Sequence, residues 1–183
     1  TPEDLNGHFI LFAHERPARR WHILTNRFGT LHAYLADIEG RRAVGTFSPA
    51  VSEAAAIKDL DWYALADFFT FGFFLGESTY WQDLQILPPA AHLILDQHGE
   101  ILSQEKTWRW HHQPNHAISS QQALDGFQRA FESVVQDQVQ GKSVALPISG
   151  GLDSRSTLIP LTRPGFAGGA DLVPFSYGYT KDS

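Results

Sequence analysis

The chain has 183 residues, 43% of them hydrophobic and 19% charged, with a formal net charge of −6. That length holds one ordinary domain or parts of two with a packed core, and the acidic balance lacks the footprint of a general nucleic-acid binder. Cysteine is absent, which excludes disulfides, cysteine-ligated zinc, iron–sulfur clusters and a cysteine nucleophile within these residues. Methionine is absent too, even at the start, so a processed or partial chain is expected. The longest apolar run, Phe68–Leu75, is far short of the roughly 20 residues that span a bilayer. A soluble, cytoplasmic protein without a membrane or nucleic-acid partner is expected.

In chain order, four short runs rich in aromatic and β-branched residues come first: 8–13, 21–25, 31–35 and 42–47. The turn residues between them predict a β-meander of antiparallel strands. The cluster Arg16, Arg19 and Arg20 reads as a basic hairpin turn. Ser52 is the expected N-cap of a helix over 52–57, and Asp61 of a second helix carrying Trp62, Leu65, Phe68 and Phe69. The aromatics from Phe68 to Phe74 are expected in a core under a sheet. Asp61 and Asp67 are six apart and share no helix face, so they form no catalytic pair. Pro88-Pro89 breaks the chain, and a hairpin over 91–95 and 101–104 turns at His98-Gly99.

Residues 108–120 are polar, carry Pro114, and read as a linker. Its His111, His112 and His116 have no regular element to fix a metal geometry. A long amphipathic helix then starts at Ser119-Ser120, with Leu124, Phe127, Phe131, Val134 and Val135 at helical spacing, and stops near Gly141. Residues 143–148 predict a buried strand, 152–161 a helix and 171–177 a second strand. This is a β–loop–α–β unit, the unit of a parallel sheet.

The loop Ser149-Gly150-Gly151-Leu152-Asp153-Ser154 is the most informative stretch. A strand leads into it and a helix leaves it, so orphan N–H groups and the positive helix end converge on a spot that suits an anion. Paired glycines allow positive φ and close backbone approach to phosphate oxygens, and the two serines add hydroxyl donors. Asp153 would repel a phosphate unless a Mg²⁺ lay between them. Neither the Walker pattern nor the Gly-x-Gly-x-x-Gly pattern is present.

This loop resembles the pyrophosphate loop of the N-type ATP pyrophosphatases in its asparagine synthetase version. Pro174 to Gly178 is similar to the family's second strand. Upstream, Leu24-Thr25-Asn26-Arg27-Phe28-Gly29-Thr30 with Tyr34 resembles part of the family's glutaminase domain. Ser78-Thr79-Tyr80 to Leu87-Pro88-Pro89 resembles the stretch closing that domain, and Trp108-Arg109-Trp110 the Tyr-Trp before the interdomain linker.

The resemblance implies an α/β chain whose first part is α+β. Residues 1–110 would be the C-terminal half of a glutaminase-like, N-terminal-nucleophile-type antiparallel sheet. Residues 111–118 would be the linker, and 119–183 the start of a Rossmann-like, parallel-sheet ATP pyrophosphatase domain. It also implies ATP and Mg²⁺ as cofactors. Ile148, Ser149, Gly150, Gly151, Leu152, Asp153, Ser154 and Tyr177 would take the nucleotide, with Asp153 on the metal. The implied activity is adenylation of a carboxylate such as aspartate, then attack by ammonia or an amine. Ammonia or glutamine would be a further small-molecule partner, and a homodimer is allowed for. The chain departs from the family at its missing cysteine, at Asn26 (usually Asp), at Ala90 (usually Gly) and at Arg155 (usually small in asparagine synthetases). The chain alone is therefore expected to lack glutamine hydrolysis and to be unable to complete amide synthesis. The alternatives are a non-catalytic nucleotide-binding homologue and a cyclase of the β-lactam or macrolactam type.

Overall fold

The computed structural model describes residues 4–163 and 171–178. The chain is mixed α/β, with antiparallel sheets and one small parallel pair. It divides into two compact units, through His112 and from Gln113.

The first unit opens with β1 (Ile10–Glu15) and β2 (Arg20–Thr25), an antiparallel hairpin turning over the basic cluster. The next hairpin is β3 (Tyr34–Ile38) with β4 (Arg41–Gly45). These strands do not form one meander. β2 pairs instead with β6 (Ala91–Leu95), and β6 with β7 (Ile101–Lys106), giving the order β1-β2-β6-β7. β3 pairs with β5 (Leu84–Ile86), a strand that sequence patterning missed, giving β4-β3-β5. Alternation within a run sets which residues share a face, but it cannot choose a distant partner strand.

The crossing between the sheets is built around Asn26, which is 2% exposed. Its side-chain amide donates to Thr30 Oγ1 at 2.7 Å and to the Gly7 carbonyl at 3.3 Å, and its Oδ1 accepts the Thr30 N–H at 3.1 Å. A carboxylate in its place would lack the two donated bonds. Gly29 follows at φ +60°, where an added Cβ would sit 2.9 Å from Pro89 Cγ. Thr25 closes the junction. Its hydroxyl donates to the Pro88 carbonyl at 2.7 Å and accepts the Ala91 N–H at 2.9 Å. Ala90 is held at φ +56°, a conformation that costs a residue with a Cβ about 1 kcal/mol.

Side-chain alternation in β3 organises the packing. Leu35 joins Ile23, Ala91, Leu93 and Leu95 in one core cluster, which includes residues of both sheets. Its neighbour Ala36 points the other way and packs with Leu84, Val51, Ala55 and Ile57. Sheet, sheet and helix thus stack as three layers. The helix is α1 (Ser48–Ala54), with Phe47 at its N-cap and Pro49 in its first turn. Ser52 is not the cap. It lies inside the helix, buried, and its hydroxyl donates to the Pro49 carbonyl at 2.9 Å. Proline at a helix start lacks only an N–H that has no acceptor there. Arg42 ties the two sheets together by bonds to Glu100 at 2.6 Å, Asp37 at 2.8 Å and the Gly99 carbonyl at 3.1 Å. The Glu100 bond first, then the Asp37 bond, raises the Arg42 pKa further.

α2 (Trp62–Phe71) starts as expected, with Asp61 accepting the N–H groups of Tyr63 and Ala64. It ends at Gly72 in the left-handed region. The aromatics around it are not core, contrary to the expectation. Phe69 is 83% exposed, and Trp62, Tyr63, Phe71 and Phe73 are exposed as well. Only Ala64 of α2 is buried. Phe68 stacks on Phe74 at 5.0 Å, and Phe74 meets Tyr80 edge-on at 4.6 Å, so the segment packs its rings on itself.

The second unit begins after the irregular stretch with α3 (Ser120–Val139), capped by Ser119 in a full capping box with Gln122. β8 (Val144–Pro147) pairs in parallel with β9 (Leu172–Phe175), in the register Val144↔Leu172 to Pro147↔Phe175. Between them runs α4 (Leu152–Thr162). β8 is not a buried strand, since its residues alternate between half-buried and exposed. Among the described residues, no helix is long and apolar enough to cross a membrane.

Candidate functional site

The glycine loop sits where the sequence places it, between the end of β8 and the start of α4. The strand pair extends one residue past β8, because the Ile148 N–H donates to the Phe175 carbonyl at 2.7 Å. This brings Ile148 and the Phe175–Tyr177 segment together at the C-terminal edge of the parallel pair, where open α/β sheets bind ligands. Tyr177 is 85% exposed, with its ring 6.4 Å from that of Phe175.

Gly151 is the N-cap of α4, with φ −76° and ψ 163° and no side-chain capping bond. Neither Gly150 nor Gly151 adopts positive φ, contrary to the expectation for paired glycines. Chain conformation does not demand them. An added Cβ on Gly150 would meet nothing within 4 Å, as at several other glycines of the chain, so packing does not demand a glycine there either. A Cβ on Gly151 would sit 3.2 Å from Ser149 Oγ.

The serines are engaged with the loop itself. Ser154 Oγ accepts the Ser149 N–H at 3.1 Å, and the two hydroxyls lie 3.0 Å apart. Ser149 Oγ accepts the Gly151 N–H at 3.1 Å. The hydroxyls thus staple the loop rather than stand ready as free donors. The donors left facing outward are backbone ones. Leu152, Asp153 and Ser154 open α4, where N–H groups have no intrahelical acceptor. Together with the positive helix end they make a place whose electrostatics suit an anion.

Asp153 is exposed in the first turn of α4. It also lines a groove of about 520 Å³ with Leu124, Phe127 and Phe131 of α3 and Ile159 and Pro160 of α4. Its single carboxylate is a hard oxygen donor, which fits a Mg²⁺ held mainly by phosphate oxygens and water. Among the described residues, no group of three His, Asp or Glu is placed to hold a metal ion by itself, and His111, His112 and His116 form none.

Two features escaped the sequence reading. One is Arg155, noted only as a departure from the family pattern. Its Nε donates to the Gly151 carbonyl at 3.0 Å and its Nη2 to the Gly150 carbonyl at 3.1 Å. A cation in the first turns of a helix, against the dipole, is the signal that could have flagged it. The other is a polar line across the first sheet, where His22 Nδ1 lies 2.9 Å from His92 Nε2 and His22 Nε2 3.2 Å from Glu15. Residues 70 apart meet there only because β2 and β6 pair.

Together these features define a mixed α/β chain that carries an anion-suited loop on a parallel β-loop-α-β unit. No protein-family model matches the chain, and a search of curated proteins gives no match.

Proposed function

We propose that this chain belongs to an ATP-dependent, amide-forming ligase of the asparagine synthetase type and carries the loop that takes the pyrophosphate part of ATP. The observation supporting this most is the loop itself. Backbone amides at the start of α4 and the positive helix end converge where β8 leads into the paired glycines. In this reading residues 119–183 are the start of a Rossmann-like ATP pyrophosphatase domain. Residues 1–110 are the end of a glutaminase-like domain, with 111–118 as the linker.

The amides of Leu152, Asp153 and Ser154 bind the pyrophosphate oxygens. The Ser149–Ser154 staple holds those amides in place. The backbone at Ile148 and the exposed Tyr177 border the adenosine. Asp153 would supply one ligand to a Mg²⁺, which would offset charge on the pyrophosphate group. The reaction so served begins with a carboxylate oxygen bonding to the α-phosphorus of ATP as pyrophosphate leaves. Ammonia or an amine then bonds to the acyl carbon as AMP leaves, and a proton is released. The acceptor carboxylate is proposed as aspartate.

The test is titration of the chain with Mg²⁺–ATP. Asp153→Asn removes the charge and keeps the side chain's size. Affinity should fall about tenfold, which is about 1.4 kcal/mol, with the melting temperature unchanged. An unchanged affinity beside a large fall in melting temperature would make Asp153 a residue that serves only the dipole of α4 and sink the reading.

A further inference from the structure

Arg155 is the fourth residue of α4, where a positive charge works against the helix dipole. Among the described residues it has no carboxylate partner to offset this. Instead it folds back, and two adjacent nitrogens of its guanidinium take the carbonyls of Gly150 and Gly151 at 3.1 Å and 3.0 Å. A peptide plane carries its C=O and the next N–H on opposite edges. Holding the Gly151 carbonyl therefore turns the Leu152 N–H away from Arg155. Holding the Gly150 carbonyl likewise turns the Gly151 N–H, which lands on Ser149 Oγ at 3.1 Å. Glycines have the widest backbone freedom of any residue, so two in a row need such a restraint to present a single arrangement.

We infer that Arg155 is a positioning residue of the glycine loop, whose guanidinium fork sets both glycine peptide planes and so aims the Leu152 amide, beside those of Asp153 and Ser154, at a pyrophosphate-like anion. The inference rests on the phosphate-site reading for its ligand, while its geometric half stands on the two hydrogen bonds alone. The fork is the essential feature. A lysine in its place keeps the charge but offers a point donor that cannot hold two carbonyls in one plane.

The experiment uses the 183-residue chain, with inorganic pyrophosphate and inorganic phosphate as probes in EDTA, and regional hydrogen exchange without ligand. Arg155→Ala and Arg155→Lys should both lose about tenfold in pyrophosphate affinity. They should lose less in phosphate affinity, because one small anion needs fewer aligned amides. Exchange over residues 149–154 should quicken in both variants. Full recovery of pyrophosphate affinity in Arg155→Lys would reduce the role to charge and overturn the positioning claim. Wild-type affinity and exchange in Arg155→Ala would overturn it outright. If the unmutated chain binds neither probe, the ligand reading fails. Faster exchange in the variants would then still support the geometric role, and unchanged exchange would overturn that too.

Discussion

The two units differ in what holds them. Before Gln113, residues such as Ile23, Leu84 and Leu93 are at most 2% exposed, and two core clusters flank one sheet. After it, only Val135 and Pro160 are buried among the described residues. Phe127 is 67% exposed and Leu124 58%, although both belong to the apolar stripe of α3. The first unit is thus held by burial at about 25 cal/mol per Å² of apolar surface. The second relies on local devices: the Ser119 capping box, the Ser149–Ser154 staple and the Arg155 fork. Elements with few buried contacts open at low free energy, and in this chain the candidate site lies among them.

Core truncation should break the comparison most sharply. Leu93→Ala removes a side chain with no exposure and should cost about 3 kcal/mol. Phe127→Ala should cost under about 1 kcal/mol, although more atoms are deleted. Denaturant unfolding of both variants checks this, and equal losses would mean that the second unit has a core of its own. Gly29→Ala comes next. It adds a Cβ at φ +60° and 2.9 Å from Pro89 Cγ, and should cost about 2 kcal/mol from strain and overpacking. Hydrogen exchange should show the loss in residues before Gln113, and none after it.

Ser119→Ala is the converse. It removes the N-cap half of a reciprocal box and should cost about 1 kcal/mol, read as faster exchange along α3 with the sheets unchanged. The smallest effect is expected at Asp96, in the turn between β6 and β7. Its carboxylate accepts the N–H groups of Glu100 and His98, each at 2.8 Å. The Glu100 bond leads in lowering its pKa, against desolvation. A lowered folded pKa contributes stability that is present above the unfolded carboxylate value of about 4 and lost as pH falls through the folded value. Asp96→Asn keeps an acceptor but loses the charge. Thermal melts of the variant should therefore lie slightly below wild type at pH 7 and converge with it below about pH 4. A gap that persists in acid would trace the effect to turn geometry and not to ionisation.

Much of the local structure was legible because its causes are local. Asp61 and Ser119 cap the helices expected of them, and Gly141 sits at positive φ just past the end of α3. The β-loop-α-β order of the second unit follows from apolar runs broken by glycine. The position of the candidate loop was legible for the same reason, since strand, glycines and helix are contiguous. Strand partners were not legible. β2 meets β6, and β3 meets β5, because Asn26, Gly29 and Pro89 steer the chain from one sheet to the other. No alternation of side chains records that crossing. Exposure was not legible either, since an aromatic run reads alike whether a sheet covers it, as expected for Phe69, or its rings pack on one another. In the loop, residue types alone determined that a strand, two glycines and a helix start meet at one place. Only the tertiary structure decided that its serines bond each other and that Arg155 holds the glycine carbonyls, because hydrogen-bond partners depend on where the backbone puts each group.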